Sequence, residues 1–464
     1  MNMQQARIAL LSTARLILGC AAMLPALPAS AAPSIYPTGV TRYDPSRAYN
    51  SYVLFSGQDH RTHLIDMDGN EVHSWTYEGS PPLYLDPALV QGALGHVLVR
   101  LAQSSEQRGT GLGQGTLVPS TKTVGELDWD GNILWQWGEK APGGAAQQHH
   151  DLARLDNGNT LLLVNRTTTI AGFTLTSLKD DGVQEVTPDG RIVWQWYAGD
   201  HLAEIFSPAT LKRVRATRTP DYLHTNDMKP LGPNHWFREG DQRFDPANII
   251  IDSRQANFIA IISRRSGKIV WKLGPDYPPG DPSIRPTTLP RPVDALSGQH
   301  DAQLIPDGLP GAGNLLVFDN QGSAGYPPAE LSTFPSSRVL EIDPIKKLIV
   351  WQYTGDASER VIWSFHSSFI SSARRLPNGN TLIDEGMNGR FFQITPAGEI
   401  VWEYVSPYFG QTRDLGFDTD RTVLSNQVYR AQPVPYAWTP SGTAHGEQAI
   451  AALDPATFRV PGAQ

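Results

Sequence analysis

HLIDMDGNEVHSWTY, residues 63–77, is the first of six copies of one short phrase in this chain. The other five are GELDWDGNILWQW (125–137), QEVTPDGRIVWQW (184–196), AIISRRSGKIVWKL (260–273), LEIDPIKKLIVWQY (340–353) and FQITPAGEIVWEY (392–404). Each copy reads as an apolar strand, a tight turn that usually contains Gly, and a second strand that ends at Trp. The marking residues are Trp75, Trp135, Trp194, Trp271, Trp351 and Trp402. A hairpin that recurs at this period is typical of a β-propeller with one copy per blade, so we expect six blades.

A second phrase follows the tryptophan in most of the blades. It reads HHDLARLDNGNTLLL (149–163), HTNDMKPLGPNHWF (224–237), QHDAQLIPDGLPGAGNLLVFDN (299–320) and FHSSFISSARRLPNGNTLID (365–384). Each is a strand, a turn and a partner strand, and two hairpins make the four strands of a blade. The sequence therefore predicts an all-β fold, a six-bladed β-propeller with four-stranded antiparallel blades. We assign residues 32–430 to the propeller, with a closing strand near RTVLSNQVYRA (421–431), and residues 431–464 to an irregular C-terminal tail.

The bulk composition excludes several classes of partner. The chain has 464 residues, a formal net charge of −8 and a sequence pI near 5.8. An acidic chain is a poor partner for nucleic acid or an anionic membrane, so we expect neither of them and no stable membrane insertion. No segment carries a cofactor-specific pattern, and no cofactor is expected. The histidines show no recognised short ligand spacing, so no metal site is expected.

The N-terminus reads as an export signal. Arg7 and Arg15 precede the apolar run LILGCAAMLPAL, and PASAAP supplies small residues for cleavage. This pattern predicts a signal peptide over residues 1–31 and release of a secreted, periplasmic protein. LILGC also resembles a lipoprotein box loosely, so a lipid anchor on Cys20 is the alternative.

Four histidines recur at nearly the blade period and are the main candidates for chemistry. His150, His224, His300 and His366 open the second phrase at spacings of 74, 76 and 66 residues. Because equivalent positions in successive blades point toward one axis, we expect these imidazoles to meet near the central channel. Converging histidines suit acid–base work, nucleophilic attack or anion binding. The alternative is that the repeat copies a structural residue that bonds a neighbouring blade.

An arginine adds anion-binding character to this histidine cluster. Arg254 follows the strand IIIDS, and a guanidinium near the histidines would suit sulfate or phosphate oxygens. A surface position for Arg254 is the alternative. Asp151, Asp227 and Asp301 lie one or three residues after their histidines and could orient the rings or cap turns.

The order of motifs resembles the bacterial arylsulfotransferase (arylsulfate sulfotransferase) family over roughly residues 120 to 430. The similarity is carried by HTND with the strand containing DSRQ, by QHDAQL…GNLLVFDN, and by SSARRLPNGNTLIDEGMNGRFFQITPAGEIVWEYVSP. This resemblance implies a periplasmic six-bladed propeller that moves a sulfuryl group between phenols without a nucleotide sulfate donor. It also implies that a channel histidine is sulfated transiently while other histidines, an arginine and an asparagine hold the sulfate oxygens.

Several residues match the motifs of the family. His224 and Asn226 fit its H-x-N motif, Arg254 fits its SR step, and His300 fits its QH motif. The resemblance thus implies a substrate-binding role for Asn226 and Arg254, and the QH phrase ends at Asn320, which we include among the binding residues.

Two positions depart from the family pattern. The arginine expected soon after FDN is absent, because QGSAGYPP follows there, and Arg390 stands where the resemblance implies the nucleophilic histidine. A guanidinium stays protonated and is not a nucleophile. His366 is then an available substitute.

These observations support an aryl sulfotransferase that works on an aryl sulfate and a phenolic acceptor. In this hypothesis His300 or His366 is the nucleophile and His224 the acid–base partner. Arg254 and Arg390 bind the sulfuryl oxygens, and His150 completes the pocket. The alternatives are a catalytically silent propeller that binds an anionic or aromatic ligand, and a scaffold whose rim loops bind a protein. A quinone-dependent dehydrogenase is a remote further alternative. The sequence does not specify the donor, the acceptor or the oligomeric state.

Overall fold

Six antiparallel β-sheets form a ring in this protein, so the predicted six-bladed β-propeller is confirmed. The computed structural model describes residues 37–101, 123–138, 147–278, 283–413 and 422–452. The predicted signal peptide and Cys20 lie outside these residues. Four of the sheets have four strands, and two have a fifth strand at the outer edge.

The strands of each blade run from the inside to the outside of the ring. Blade 1 contains β28 (Gln432–Val434), β2 (Tyr52–Ser56), β3 (Thr62–Ile65) and β4 (Glu71–Trp75). Blade 2 contains β5 (Leu83–Tyr84), β6 (Val97–Arg100), β7 (Thr123–Leu127) and β8 (Ile133–Gly138). Blade 3 contains β9 (Gln147–Arg154), β10 (Thr160–Thr168), β11 (Leu178–Val186) and β12 (Ile192–Tyr197).

The other three blades follow the same order. Blade 4 contains β13 (Thr225–Pro230), β14 (Ile249–Ser253), β15 (Phe258–Ile262) and β16 (Ile269–Leu273). Blade 5 contains β18 (His300–Leu304), β19 (Leu315–Asp319), β20 (Arg338–Asp343), β21 (Leu348–Tyr353) and the edge strand β17 (Arg291–Pro292). Blade 6 contains β22 (Ser372–Arg375), β23 (Thr381–Glu385), β24 (Arg390–Ile394), β25 (Ile400–Val405) and the edge strand β1 (Gly39–Tyr43).

Shorter elements lie outside the blades. Strands β26 (Gly410–Arg413) and β27 (Thr422–Ser425) form a separate hairpin. Three α-helices span Leu202–Ile205, Pro208–Arg215 and His235–Arg238. Short 3-10 helices span Pro87–Val90, Ala198–Asp200, Gln242–Phe244, Gly355–Ser358, Ile362–Ser364, Gly386–Asn388 and Tyr436–Trp438. Within the described ranges, no helix has the length and apolar character needed to cross a membrane.

The repeated hairpin phrase folds because its turn satisfies itself locally. In blade 1 the Asp66 carboxylate accepts a hydrogen bond from the Asn70 backbone N–H at 2.9 Å. Gly69 sits in the turn at a φ of +84°, which glycine adopts without a steric cost. The two strands that leave the turn, β3 and β4, then pair in antiparallel register.

The repeated tryptophans connect each blade to the next. Their indole N–H groups donate to backbone carbonyls in the hairpin turn of the neighbouring blade. The pairs are Trp75 to Asp128, Trp135 to Pro188, Trp196 to Gly267, Trp271 to Pro344, Trp351 to Pro396 and Trp402 to Met67, at 2.8–3.1 Å. In blade 3 the donor is Trp196 rather than the marking Trp194. The last pair joins blade 6 to blade 1, so the chain of contacts closes around the ring.

Loss of the indole hydrogen bond should destabilise the protein more at Trp402, which joins blade 6 to blade 1, than at Trp351. Trp402→Phe leaves the Met67 carbonyl without its buried donor, so we expect the free energy of unfolding to fall by about 1–3 kcal/mol. Trp351→Phe is the matched control, because its bond to Pro396 is solvent-exposed and water can replace the donor. Guanidinium unfolding curves measure both variants. Equal losses would show that burial of the bond is not the cause.

The ring is closed by a strand from the far end of the chain. β28 pairs with β2 along Tyr52–Val434, Val53–Pro433 and Leu54–Gln432. This strand starts two residues beyond position 430, where the sequence placed the end of the propeller. Tyr429 and Arg430 lie shortly before this strand, and Arg430 contacts Asp151, Asp227 and Asp301 of blades 3, 4 and 5.

Candidate active site

The inner strands of blades 3, 4 and 5 bring three of the four predicted histidines together. The rings of His150 and His224 lie 5.0 Å apart, centroid to centroid, and are nearly perpendicular. Tyr429 connects His150 to His300, with ring centroids 5.5 Å and 6.2 Å away. The three histidine side chains are buried, and Tyr429 is partly buried.

Local irregularities of the inner strands occur at or next to these histidines. The pairing of β9 with β10 shifts register at His149–Asp151, and β13 has a bulge between Thr225 and Asp227. β18 shifts between His300 and Gln303. Such bulges redirect side chains and often lie next to active sites. His150 and His224 also have positive φ values of 50° and 48°, an uncommon backbone conformation for residues with a Cβ.

His300 is held as one tautomer by its neighbours. Its Nδ1 lies 2.7 Å from Asn320 Oδ1 and 2.9 Å from the Gly298 carbonyl oxygen. Both partners are acceptors, so Nδ1 carries the proton and Nε2 carries the lone pair. Nε2 accepts a hydrogen bond from the Ile370 backbone N–H at 3.1 Å. Burial, followed by the positive charge of Arg254, lowers the pKa of His300 to about 3, so this imidazole is neutral at pH 7.

The ring of His224, unlike that of His300, is hydrogen-bonded to a carboxylate. Its Nδ1 lies 2.8 Å from Asp221 Oδ2. Burial acts to raise the pKa of Asp221, but the interactions with His224 outweigh it and lower that pKa, so Asp221 is an ionised acceptor. Nε2 of His224 makes no hydrogen bond to any described residue. An aspartate on one nitrogen and a free second nitrogen is the geometry of a general acid–base histidine.

His150 belongs to a histidine pair. Its Nδ1 lies 2.7 Å from Nδ1 of His149, whose Nε2 lies 3.4 Å from Asp181 Oδ1. Burial, and after it the nearby His224, lowers the pKa of His150 well below its usual value. His150 therefore supplies a neutral ring to the pocket.

Arg254 brings a cation to the histidines, and the charge of Asp221 acts on it without forming an ion pair. It follows β14 directly, and its backbone N–H donates to the His224 carbonyl at 3.1 Å. No described carboxylate forms an ion pair with its guanidinium, and its buried Nε lacks a hydrogen-bond partner among the described residues. Burial lowers the pKa of Arg254, but an arginine remains protonated in proteins. A partly buried, unpaired guanidinium is costly unless an anion binds it.

The two predicted asparagines support the site in different ways. Asn320 accepts from His300 and donates through Nδ2 to the Ser367 and Ile370 carbonyls at 2.6 Å and 2.8 Å. Asn226 donates to the Gln299 carbonyl at 3.1 Å, and its Oδ1 is buried without a partner among the described residues. Asn320 therefore orients His300, whereas Asn226 joins blade 4 to blade 5.

His366 and Arg390 are not brought into this cluster. His366 lies in the loop before β22, and its ring makes no contact with the other three histidines in the described structure. Burial alone lowers the pKa of His366. Arg390 is buried, and its Nη1 donates to Glu385 Oε2 at 2.7 Å while its Nε donates to Glu403 Oε1 at 2.7 Å. This guanidinium is already neutralised by two carboxylates.

The sequence did not single out Tyr429, Asp221 or His149. Tyr429 donates its hydroxyl hydrogen bond to the Asn226 carbonyl at 3.1 Å and lies between two of the histidines. The signal for it was present: Tyr429-Arg430 in the closing segment stands where His150-Asp151 and His300-Asp301 stand in their blades. Asp151, Asp227 and Asp301 do not orient the rings but contact Arg430 and the neighbouring blades. In the described parts of the chain, no three His, Cys, Asp or Glu side chains are grouped to hold a metal ion.

The buried neutral state of His300 should make stability depend on pH. Its folded-state pKa of about 3 lies below the value near 6.5 of an unfolded histidine, so only the unfolded chain takes up this proton in between. The stabilisation is complete above about pH 6.5 and is lost as pH falls toward 3. We expect His300→Gln to lower the slope of unfolding free energy against pH by about 1.4 kcal/mol per unit between pH 6 and 4. Parallel wild-type and variant slopes in denaturant titrations would contradict this.

Comparisons with known proteins give a family match and several distant likenesses in structure. The family model described as Arylsulfotransferase (ASST) matches residues 102–430. Comparison with curated proteins yields no match. A crystal structure of a protein of unknown function from Bacteroides caccae is 12% identical, with 83% of this chain and 99% of that chain covered and a TM-score of 0.46. A virginiamycin B lyase from Staphylococcus aureus is 13% identical, with coverages of 75% and 91% and a TM-score of 0.32.

Proposed function

The chain belongs to the arylsulfotransferase family, and we propose that it transfers a sulfuryl group from an aryl sulfate to a phenolic acceptor in its channel. The observation that carries this proposal is the unpaired Arg254 guanidinium beside His300, an imidazole that is neutral and has a fixed tautomer. A cation for the sulfuryl oxygens and a lone pair for the sulfur atom are the two requirements of this chemistry.

The proposed reaction has two half-steps. Nε2 of His300 attacks sulfur, an N–S bond forms, and the bond from sulfur to the aryl oxygen breaks. The departing phenoxide takes a proton from Nε2 of His224. In the second half-step the acceptor phenol returns a proton to His224 as its oxygen attacks sulfur and the N–S bond breaks. The hydrogen bond from Ile370 N–H to Nε2 must open before each attack.

The other side chains of the pocket have binding roles in this proposal. Arg254 contacts the sulfuryl oxygens, and His150 lines the opposite side of the pocket next to His224. Asn320 fixes the tautomer of His300. The proposal gives no part to His366, a candidate nucleophile from the sequence, or to Arg390, a candidate oxyanion ligand. Arg390 is paired with Glu385 and Glu403, and the ring of His366 contacts none of the three clustered histidines in the described structure.

A silent binding protein is the second candidate, and two observations favour it. Both nitrogens of His300 are hydrogen-bonded, and Arg390 stands where the family resemblance implies the sulfated histidine. Such a protein would bind an aryl sulfate or a similar anion in the same pocket without cleaving it.

The deciding experiment follows 4-nitrophenol release from 4-nitrophenyl sulfate with and without a phenol acceptor. Transfer predicts acceptor-dependent release, ping-pong kinetics, and a mass gain of one sulfuryl group on the peptide that contains His300 when acceptor is omitted. Absence of release, together with measurable binding of the ester, would establish the silent alternative. Transfer that appears only in Arg390→His would lead to the same conclusion.

We infer that the transfer takes place in the periplasm after removal of residues 1–31. The Arg-flanked apolar run and PASAAP support this location. N-terminal sequencing of exported protein should give a start near Ala32. A retained N-terminus or a lipid on Cys20 would contradict it.

A further inference from the structure

Next to the reactive histidines, the inner strands carry a layer of charged side chains that we call the ionic floor. It consists of Asp151, Asp227, Lys229, Asp301, Arg374 and Arg430. Arg430 donates from Nη1 to Asp151 Oδ1 at 2.9 Å and from Nη2 to Asp227 Oδ1 at 3.0 Å. Its Nε lies 3.1 Å from Asp301 Oδ1. One guanidinium therefore joins carboxylates from blades 3, 4 and 5.

Two of the three aspartates make matching contacts with the next blade. Asp151 Oδ2 accepts from the Met228 N–H in blade 4 at 3.2 Å, and Asp301 Oδ2 accepts from the Ala373 N–H in blade 6 at 3.2 Å. The closing segment carries Arg430 where these strands carry aspartate. A cation from the C-terminal closing segment therefore faces the carboxylates of Asp151, Asp227 and Asp301.

Arg430 is also the neighbour of a residue in the histidine layer. Tyr429 lies with its ring 5.5 Å from that of His150 and 6.2 Å from that of His300. Its hydroxyl donates to the Asn226 carbonyl, and its own carbonyl accepts from the Ser371 N–H at 3.1 Å. Any displacement of Arg430 would move this ring relative to both histidines.

Counted by formal charge, the floor balances only with Arg430, and burial raises the pKa of one of its carboxyl groups, Asp227, to about 7. The three buried aspartates face three cations: Lys229 at 3.0 Å from Asp301, Arg374 at 2.8 Å from Asp301, and Arg430. Without Arg430 the floor would hold a surplus of buried negative charge one residue away from the histidine layer. The electrostatic interactions of such a charge are stronger in low-dielectric surroundings, so it would oppose the entry of any anion.

We propose that Arg430 is a positioning residue of the anion pocket, which holds Tyr429 against His150 and His300 and neutralises the carboxylates beneath the bound sulfuryl group. The identity of the ligand in this inference rests on the proposed function, whereas the role of Arg430 rests on its own contacts. It makes the C-terminal closing segment a functional part of the site in addition to the strand that closes the ring.

Three variants distinguish the effect of the Arg430 charge from the effect of its side-chain shape. Arg430→Gln should raise the KM for 4-nitrophenyl sulfate by about tenfold or more, with a smaller fall in kcat. Arg430→Lys keeps the charge and should recover part of the KM. Arg430→Gln with Asp151→Asn removes one charge of each sign and should recover most of it, because the amide oxygen of the asparagine side chain can still accept from the Met228 N–H.

The pH profile gives a readout that loss of packing alone would not change. The groups that act on Arg430 directly are Asp151, Asp227, Asp301, Asp384 and Tyr429. Lys229, Asp252 and Arg374 act on its aspartate partners. In Arg430→Gln the KM defect should shrink as pH falls, since the floor carboxylates take up a proton and lose their charge. A defect that is independent of pH and unrelieved by Asp151→Asn would overturn the proposal.

Binding of inorganic sulfate distinguishes failure of this proposal from failure of the proposed function. A wild type without turnover defeats the transfer reaction but leaves the anion pocket open to calorimetric titration. An affinity about tenfold weaker in Arg430→Gln supports the role of Arg430, and an unchanged affinity overturns it. If Arg430→Gln does not fold, Arg430→Lys decides: it should bind sulfate nearly as wild type does, and a complete loss of binding would contradict the charge argument.

Discussion

His300→Ala should lower kcat for sulfuryl transfer by about 10³-fold or more while changing the KM of the aryl sulfate much less. The reason is that Nε2 of His300 bears the lone pair, because Asn320 and the Gly298 carbonyl both accept from Nδ1. Alanine removes the only atom that forms the N–S bond in the proposed reaction. Initial rates of nitrophenol release measure the loss, and the sulfuryl mass gain on the peptide should vanish with it.

His366→Ala is the matched control, because His366 opens the same repeated phrase but lies outside the cluster. It should keep at least half of the wild-type rate if His300 is the nucleophile, about 0.4 kcal/mol or less in barrier. Loss of activity in His366→Ala with retention in His300→Ala would reverse the assignment. A third variant, His224→Ala, should reduce the rate most for donors and acceptors whose phenols are weakly acidic. Such phenols need a proton on leaving, or the removal of one on attack, more than acidic phenols do.

The fold could be predicted because the repeat encodes contacts between blades. Each copy of the phrase is a hairpin that carries a tryptophan near its end. The indole N–H groups bond to the hairpin turn of the next blade, and the bond from Trp402 to Met67 closes the ring. The edge strands β1 and β17 were not predicted, since they lie far from the phrases they extend and depend on tertiary pairing.

The candidate site could be predicted where the repeat keeps its register. His150 and His300 lie in the inner strands β9 and β18, and Arg254 follows directly on β14. His366 does not hold the corresponding place in its blade, because it lies in a loop six residues before β22 begins. Arg390 begins β24, which is not an inner strand, and the partners Glu385 and Glu403 cannot be read from spacing.

The residues that the sequence missed come from segments without a repeat phrase. Tyr429 and Arg430 lie in the closing segment, whose inner position depends on pairing with β2 at the other end of the chain. Asp221 lies in a loop three residues before His224, and only the folded backbone directs its carboxylate to Nδ1. These contacts are products of ring closure and loop conformation, which periodicity does not record.

Arg254→Gln should lower kcat/KM for aryl sulfates by about 10²- to 10³-fold without lowering the free energy of unfolding. A cation aimed at the sulfuryl oxygens stabilises charge in the transition state, yet in the empty protein Arg254 is partly buried and has no carboxylate partner in the described structure, so its removal relieves a cost of burial. Arg254→Lys should retain an intermediate activity, because an ammonium keeps the charge but loses the two-pronged geometry. Rates with 4-nitrophenyl sulfate and guanidinium unfolding curves measure the two effects separately. If Arg254→Gln lost stability and activity together, Arg254 would hold the channel wall, whereas activity lost at equal or higher stability would identify it as the group that binds the anion.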